Sequence, residues 1–282
     1  MKVPLHIVKA RREKLATMIT QDSYLPVQEL CRRLDISEAT VRRDLSALEK
    51  EKRIKRTYGG AISEFDNRFP SFGERRGQAR RAKARISAAA LSAMAPGRTY
   101  FLDTGTTIFA IAEAFRDHPV VPVKIVTPNI PAGELLATIP GVEVFLPAGQ
   151  LLSHQSVLTG ETTRKSLEFW KFDVAFLSAE AMNAEGIWNS QPEIVEQQKV
   201  VLRRSQRVLF CLDESKLDRN APNLLVRWRD VETLLTNASA EKLKKAGINL
   251  RTSQFPDLSA ILRTPPGRGD EKEDDQIPVH FL

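Results

Sequence analysis

The strongest constraint in this chain lies between Leu25 and Ala61, LPVQELCRRLDISEATVRRDLSALEKEKRIKRTYGGA. Val27, Leu30, Cys31 and Leu34 follow the i, i+3, i+4, i+7 spacing of one helical face, and Val41, Leu45 and Leu48 repeat it after a break. Two short amphipathic helices so spaced, separated by Asp35-Ile36-Ser37 with Ser37 placed to cap the second, predict a helix-turn-helix. In that unit the second helix enters a major groove.

With Val41, Leu45 and Leu48 turned to the core, Ala39 and Arg43 fall on the opposite face and Thr40 and Arg42 on its flanks. An arginine fork pairs with guanine O6 and N7 or with phosphate, and small residues allow close approach; the pattern leaves open which arginine reads a base. Two short strands are expected beyond the helix, Ile54 to Thr57 and Ala61-Ile62, joined through Tyr58-Gly59-Gly60, where glycine supplies the positive φ of a tight hairpin. This is a wing whose Lys55 and Arg56 hold phosphate and whose glycines bring backbone N–H groups to the sugar-phosphate chain. The candidate DNA-binding residues are thus Ser37, Ala39, Thr40, Arg42, Arg43, Lys55, Arg56, Tyr58, Gly59 and Gly60. The plain alternative, a solvated basic hairpin, explains neither the cap nor the glycines.

The segments ISEATVRRDLSALE and RIKRTYGGA resemble the DeoR family of bacterial transcriptional regulators. The family's usual valine-serine and threonine-isoleucine pairs are Ile36-Ser37 and Thr40-Val41 here, and Tyr58 stands where a histidine is usual.

At 282 residues the chain has room for two domains with separate cores. Charge divides unevenly. Residues 1–62 carry 14 Lys and Arg against 8 Asp and Glu, residues 63–98 carry 8 against 3, and the remainder carries 20 against 24. Positive potential is therefore concentrated toward the N-terminal end, where a DNA footprint is expected. No apolar run reaches the length of a membrane span and the N-terminus is not a secretory signal, so no membrane partner and a cytoplasmic address are expected. Cys31 and Cys211, each inside an apolar pattern, read as small core residues, and His6, His118, His154 and His280 show no ligand spacing. Neither a metal nor a cofactor is expected.

Residues 6–20 predict a first helix with Val8, Leu15, Met18 and Ile19 inward, and Tyr24-Leu25-Pro26 an edge strand beside the wing, since Pro26 has no N–H. The winged unit is assigned to residues 1–62, a linker to 63–77, and a linker helix with an effector-sensing domain to 78–255. Residues 256–282 are expected to form a flexible tail, within which Ile277 to Leu282 has the composition to dock. From residue 99 onward apolar strands such as TYFLD, VKIVT, VEVFL, DVAFLS and RVLFCL alternate with helices. The prediction is an α/β fold, a mostly parallel sheet covered on both faces, with ligands at the carboxyl ends of strands.

At those ends, Asp103-Thr104-Gly105-Thr106-Thr107 leaves a strand and opens a helix, offering unpaired N–H groups, a positive dipole end and hydroxyls suited to phosphate. A cap serving only its own helix explains that loop equally well. Lys216 in DESK and Asn129 in VTPN follow further strands; in isolation a solvated turn and a local cap account for them. LDTGTT, VTPN, DVAFLSAE and DESK extend the resemblance to the DeoR C-terminal sensor domain, which itself resembles ribose-phosphate isomerases and coenzyme A transferases. That likeness makes Asp103, Thr104, Gly105, Thr106, Thr107, Asn129 and Lys216 candidates for a phosphorylated-sugar effector site. Three departures lie near it: Ala148-Gly149 in place of a double glycine, Pro128 before Asn129, and Glu180 in place of a small residue. The added carboxylate disfavours a second negative group on the effector.

The function expected is a sequence-specific repressor that binds a double-stranded operator, answers to a phosphorylated sugar, and forms a homo-oligomer, dimer or tetramer. A sugar-phosphate isomerase or transferase fused to a DNA-binding domain is the competing class, with Asp103, Glu180 or Glu193 as base. A nonspecific architectural DNA protein leaves the acidic α/β half without a role.

Overall fold

The computed structural model describes residues 4–22, 24–51, 53–57, 59–63, 71–248, 250–251 and 277–281. The chain divides into two compact units, the first running to Pro70 and the bulk of the second starting at Ser71.

In the first unit, helix α1 (Leu5–Asp22) is followed by strand β1 (Tyr24–Pro26), helices α2 (Val27–Leu34) and α3 (Glu38–Lys50), and strands β2 (Ile54–Arg56) and β3 (Gly60–Ser63). Leu15 and Ile19 of α1, Leu30 of α2, and Val41, Leu45 and Leu48 of α3 form one buried cluster, as their spacing requires. The turn between α2 and α3 closes through Asp35 in the left-handed region, φ 51°, with the Ile36 N–H on Cys31 O at 3.3 Å. Ser37 then caps α3, its Oγ accepting from the Thr40 N–H at 3.4 Å. The sheet order is β1-β3-β2, which puts Pro26 on the edge strand it demands.

The role expected of the wing glycines is corrected. Neither Gly59 nor Gly60 has a positive φ. Gly60 is required for approach, because a Cβ there would lie 2.3 Å from Leu25 O across the β1–β3 pairing. A second determinant escaped the hydrophobic pattern altogether: Asp44, on the inner face of α3, is 1% exposed and accepts from Arg11 Nε at 2.6 Å and Arg12 Nε at 3.0 Å. This ion pair fastens the reading helix to α1.

The second unit begins with helix α4 (Phe72–Gly77), inside the stretch read from sequence as linker. Its start is a capping box, with Ser71 Oγ accepting from the Glu74 N–H and the Glu74 carboxylate accepting from the Ser71 N–H. Phe72 packs edge-on against Phe109 at 5.4 Å between ring centroids. Helix α5 (Arg80–Ser92) follows after Ala79, held at φ 49°. Far from being an isolated connector, α5 buries Ile86, Ala89 and Ala90 in the core of this unit.

Strands β4 (Thr99–Leu102), β5 (Val123–Val126), β6 (Val142–Phe145), β9 (Phe172–Leu177), β12 (Ser205–Cys211) and β14 (Thr233–Thr236) form a parallel sheet, in the order β14-β12-β9-β4-β5-β6. Phe101, Ala175 and Val208 lie in one row on one face, and Leu102, Phe176 and Leu209 occupy the next row on the other. Helices α5, α6 (Thr106–Asp117) and α7 (Ile130–Leu136) cover the Leu102 face with Ile86, Ile108, Ile111, Phe115 and Leu136. The Phe101 face is covered by Leu167 of α8 (Glu161–Leu167) and by Val195, Val200 and Val201 of α9 (Pro192–Arg204). Burial on both faces is why the strands read as continuous apolar runs. The buried Cys211 and half-buried Cys31 are free thiols.

Two features went unread in the sequence, and a third was read only as a segment able to dock. The loop around Gly149 contains the hairpin β7 (Gln150–Leu152) and β8 (Val157–Thr159). Strands β10 (Ala181–Asn183) and β11 (Gly186–Asn189) pair antiparallel and join β13 (Asn223–Arg227) in a small second sheet. The flexible-tail reading fails at its end, where β16 (Ile277–Phe281) pairs in parallel with β14 and with β15 (Leu250–Arg251), following α10 (Ala240–Lys245). Its alternating Ile277, Val279 and Phe281 fit a strand, whereas residues 252–276 lie outside the described residues.

Asp44→Ala removes the carboxylate between two arginines that retain some solvent. It is expected to destabilise the first unit by about 2–3 kcal/mol, below the full cost of an unpaired buried charge. Denaturant unfolding of wild type and variant at equal m-value measures it.

Candidate nucleic-acid interface and effector site

On α3 the outward residues are those the helical wheel selects. Ser37, Ala39, Arg42 and Arg43 are exposed, Thr40 is half-buried, and Val41, Asp44, Leu45 and Leu48 face inward. Arg42 is drawn back along the helix to Glu38 at 2.6 Å, whereas Arg43 makes no hydrogen bond or ion pair among the described residues. Arg56 is held by Glu49, at 2.7 Å through its side chain and 2.9 Å through its N–H. Lys55 lies in β2, and Tyr58 is outside the described residues. Gly59 and Gly60 also have structural bonds, Gly59 O receiving the Val27 N–H and Gly60 O the Thr57 N–H, each at 2.9 Å.

In the second unit the chain leaves β4 toward β5 on one side and returns to β9 on the other. The carboxyl ends of β4 and β9 therefore flank the point where strand order reverses, the general crevice of open α/β sheets. Asp103 sits there, 1% exposed. One oxygen, Oδ2, accepts from the Ser178 N–H at 2.9 Å and from Gln198 Nε2 at 2.6 Å. Burial pushes its pKa up to about 6, only partly offset by these donors.

Gly105, at φ 89°, swings the backbone into α6; a Cβ there would lie 3.1 Å from Ser178 Oγ, which donates to Thr104 O at 3.0 Å. Asn129 joins this loop through neighbouring α7. Its Nδ2 donates to Gly105 O at 3.0 Å and its Oδ1 accepts from the Ala132 N–H at 3.3 Å, so it caps its own helix and anchors the Gly105 loop. Thr106 and Thr107 open α6 and are buried.

Lys216 lies in a single 3-10 turn, Glu214–Lys216, capped by Asp213, whose Oδ1 accepts from the Ser215 N–H at 2.9 Å. Burial lowers the Lys216 pKa, against the attraction of Asp213 and Glu180. The same neighbourhood contains cations that the sequence reading missed. Lys83, 6% exposed, donates to Thr106 Oγ1 at 2.9 Å and to Arg75 O at 2.7 Å; burial brings its pKa down to about 8, opposed by Asp213 and assisted by Lys216 and Arg75. Arg75 is pushed down by burial and stabilised by Glu180. Lys83 was hidden within the basic run of α5. Gln198 stood in plain view, as one of two amides on an apolar helix face between Val195 and Val200.

An open groove of about 490 Å³ between α4, α5 and α6, lined by Arg76, Arg80, Lys83, Thr106 and Glu113 among others, reaches Thr106 and Lys83 from outside. Among the described residues no group of three or more His, Cys, Asp or Glu is placed to hold a metal ion, and no helix is long and apolar enough to cross a membrane.

The Asp103 pKa carries a pH dependence of stability. Its folded value of about 6 exceeds the ordinary 3.8, so its protonated form contributes stability that is fully present below pH 3.8 and lost as pH rises through 6. Asp103→Asn removes the charge but sets an NH2 among the donors of Ser178, Gln198 and Thr104, so the expected outcome is a change with pH: its stability relative to wild type rises from pH 4 to pH 8 by about 3 kcal/mol at most. Thermal unfolding of both proteins at the two pH values checks it.

The family model for the DeoR C terminal sensor domain matches residues 78–238, and that for the DeoR-like helix-turn-helix domain matches residues 11–65. The chain is similar to the glycerol-3-phosphate regulon repressor of Haemophilus influenzae, with 29% identity over 80% of this chain and 88% of that protein. It is also similar to a putative aga operon transcriptional repressor of Escherichia coli O157:H7, with 26% identity over 85% of this chain and 92% of that protein. Ribose 5-phosphate isomerase A of Neisseria gonorrhoeae matches at TM-score 0.34 and 20% identity over 48% of this chain and 52% of that one, too low to carry an argument. Both halves match models of one family, and the sensor match alone spans more than half of the chain: the protein belongs to the DeoR family of DNA-binding transcriptional regulators.

Proposed function

We propose that this protein is a sequence-specific transcriptional repressor that binds a double-stranded operator through α3 and the wing, and that a phosphorylated sugar bound at the Asp103–Thr107 loop controls it. The carrying observation is the convergence on one sheet edge of the α6 N-terminus, opened by Gly105, with Lys83 and Lys216, both depressed in pKa by burial. A cation stripped of water is relieved by an anion, and oriented N–H groups add to that preference for phosphate. The repressors of a glycerol-3-phosphate regulon among the relatives agree with a phosphorylated ligand.

In this reading Lys216 and the Thr106 and Thr107 backbone hold the phosphate, with Thr104 and Gly105 shaping the approach. Asp103 and Asn129 serve chiefly by positioning the loop, because their side chains are already bonded to Ser178, Gln198, Gly105 and Ala132. For an enzyme of this geometry Asp103, with its pKa raised to about 6, would be a candidate base, but its Oδ2 is occupied by two donors and it is 1% exposed. The working place of such a repressor is the cytoplasm, and a palindromic operator calls for a dimer or a tetramer.

Arg43→Ala is expected to lower discrimination between operator and scrambled DNA by about 1–3 kcal/mol, whereas Lys55→Ala weakens both similarly. Fluorescence titrations on the two DNAs decide it, and unchanged specificity in both variants would remove α3 and the wing from the interface. Lys216→Ala is expected to abolish release of the operator by a sugar phosphate while leaving operator affinity intact. Light scattering of the free and operator-bound protein tests the oligomer; a monomer in both contradicts it.

A further inference from the structure

An anion site has no evident need of a carboxylate, yet Glu180 supplies one. It lies two residues beyond Ser178, whose N–H is anchored on Asp103, and immediately before β10. Its backbone is fixed, with its N–H shared between Asn189 Oδ1 at 2.9 Å and Trp188 O at 3.2 Å. Its side chain is fixed as well, Oε2 accepting from the Ser190 N–H at 3.1 Å, while Oε1 accepts no hydrogen bond from the described residues. The charges acting on this carboxylate are Lys216 and Arg75, and Lys216 is the cation proposed for the phosphate.

Resting on the proposed phosphate site, we propose that Glu180 is its specificity-determining residue: Oε1 accepts a hydrogen bond from a hydroxyl of a polyol monophosphate and repels ligands that carry a carboxylate or second phosphoryl group there. The geometry favours an acceptor held in place over a mobile surface acid, since three bonds fix the residue and one oxygen is left over. Burial, the larger cause, raises the Glu180 pKa, and the charges of Lys216 and Arg75 oppose it. Discrimination then comes from a built-in repulsion as well as an attraction. Lys216 has its charge partly answered by Glu180 and Asp213 in the free protein, which suits one phosphate group rather than two.

The test uses two ligand pairs whose members differ only in CH2OH against carboxylate: glycerol 3-phosphate with 3-phosphoglycerate, and glucitol 6-phosphate with 6-phosphogluconate. Calorimetry on the full chain is expected to show the alcohol of at least one pair binding wild type about tenfold or more tighter than its acid. Glu180→Gln, nearly the same shape without the charge, should collapse that ratio to about threefold or less, mainly by tighter binding of the acid. Glu180→Ala should also weaken the alcohol. Wild-type operator binding and thermal unfolding in the variants exclude misfolding as the cause. Equal or inverted preference in wild type, or a ratio unchanged by Glu180→Gln, overturns the role of Glu180 while leaving the phosphate site standing. Failure of all four compounds to bind wild type removes the polyol-phosphate assignment and the phosphate reading beneath it.

Discussion

The effector unit depends on a carboxylate out of water. Asp103 directly follows β4, and the groups that hold it come from the residue just beyond the neighbouring strand β9, through the Ser178 N–H, and from a helix on one face, through Gln198. Two elements far apart in sequence are thereby fixed where strand order reverses. A raised pKa is the physical trace of that arrangement: the charge is solvated by a few oriented dipoles instead of by bulk water. Gln198 is itself fixed, accepting from Asn189 at 2.7 Å and donating to Ser178 O at 2.8 Å, so the support extends to β11. The loop that follows Asp103 has little freedom of its own.

Around this anchor the cations are expensive in the free protein. Lys83 has given up water for a threonine hydroxyl and a backbone carbonyl, and Lys216 for the attraction of two carboxylates. Lys83 also links elements, because its two acceptors belong to α4 and to the start of α6 while the residue itself lies on α5. Arg76 strengthens the same contact, lying over the Phe109 ring at 4.8 Å. The helix that opens this unit is thus tied to the loop proposed for the ligand. A ligand that changes the favoured partner of Lys83 has a direct mechanical route to α4, and the size of the response is limited by its differential affinity for the two arrangements.

The DNA-binding unit solves a different problem, holding a short helix rigid while leaving one face bare. Its small core is supplemented by the Asp44 pair with Arg11 and Arg12 and by the close approach of Gly60 to Leu25. Several basic residues of this unit are committed internally, Arg53 to Glu13 and Arg56 to Glu49. Net charge draws the unit toward DNA, but the side chains available to read it are fewer than the count of arginines suggests.

The sequence by itself determined the helices of the DNA-binding unit, the strand-helix alternation of the second unit and the fold class. Apolar spacing of three and four marked α1 to α3, the Ser37 cap marked the start of the reading helix, and doubly buried strands announced a parallel sheet, because each of these signals is local. What it left open were interactions between residues distant in the chain: Asp44 with Arg11 and Arg12, Asp103 with Gln198, and Lys83 with Thr106. The capping box that makes α4 a helix was local and legible, but its length of a turn and a half and the glycines around it resembled a linker. In the same way the alternation within residues 277–281 fits a strand, but its partners β14 and β15 are brought beside it only by the fold. Tertiary structure decided which polar groups were to be buried, since the cost of burying them is met by partners that only the folded chain brings within hydrogen-bonding distance.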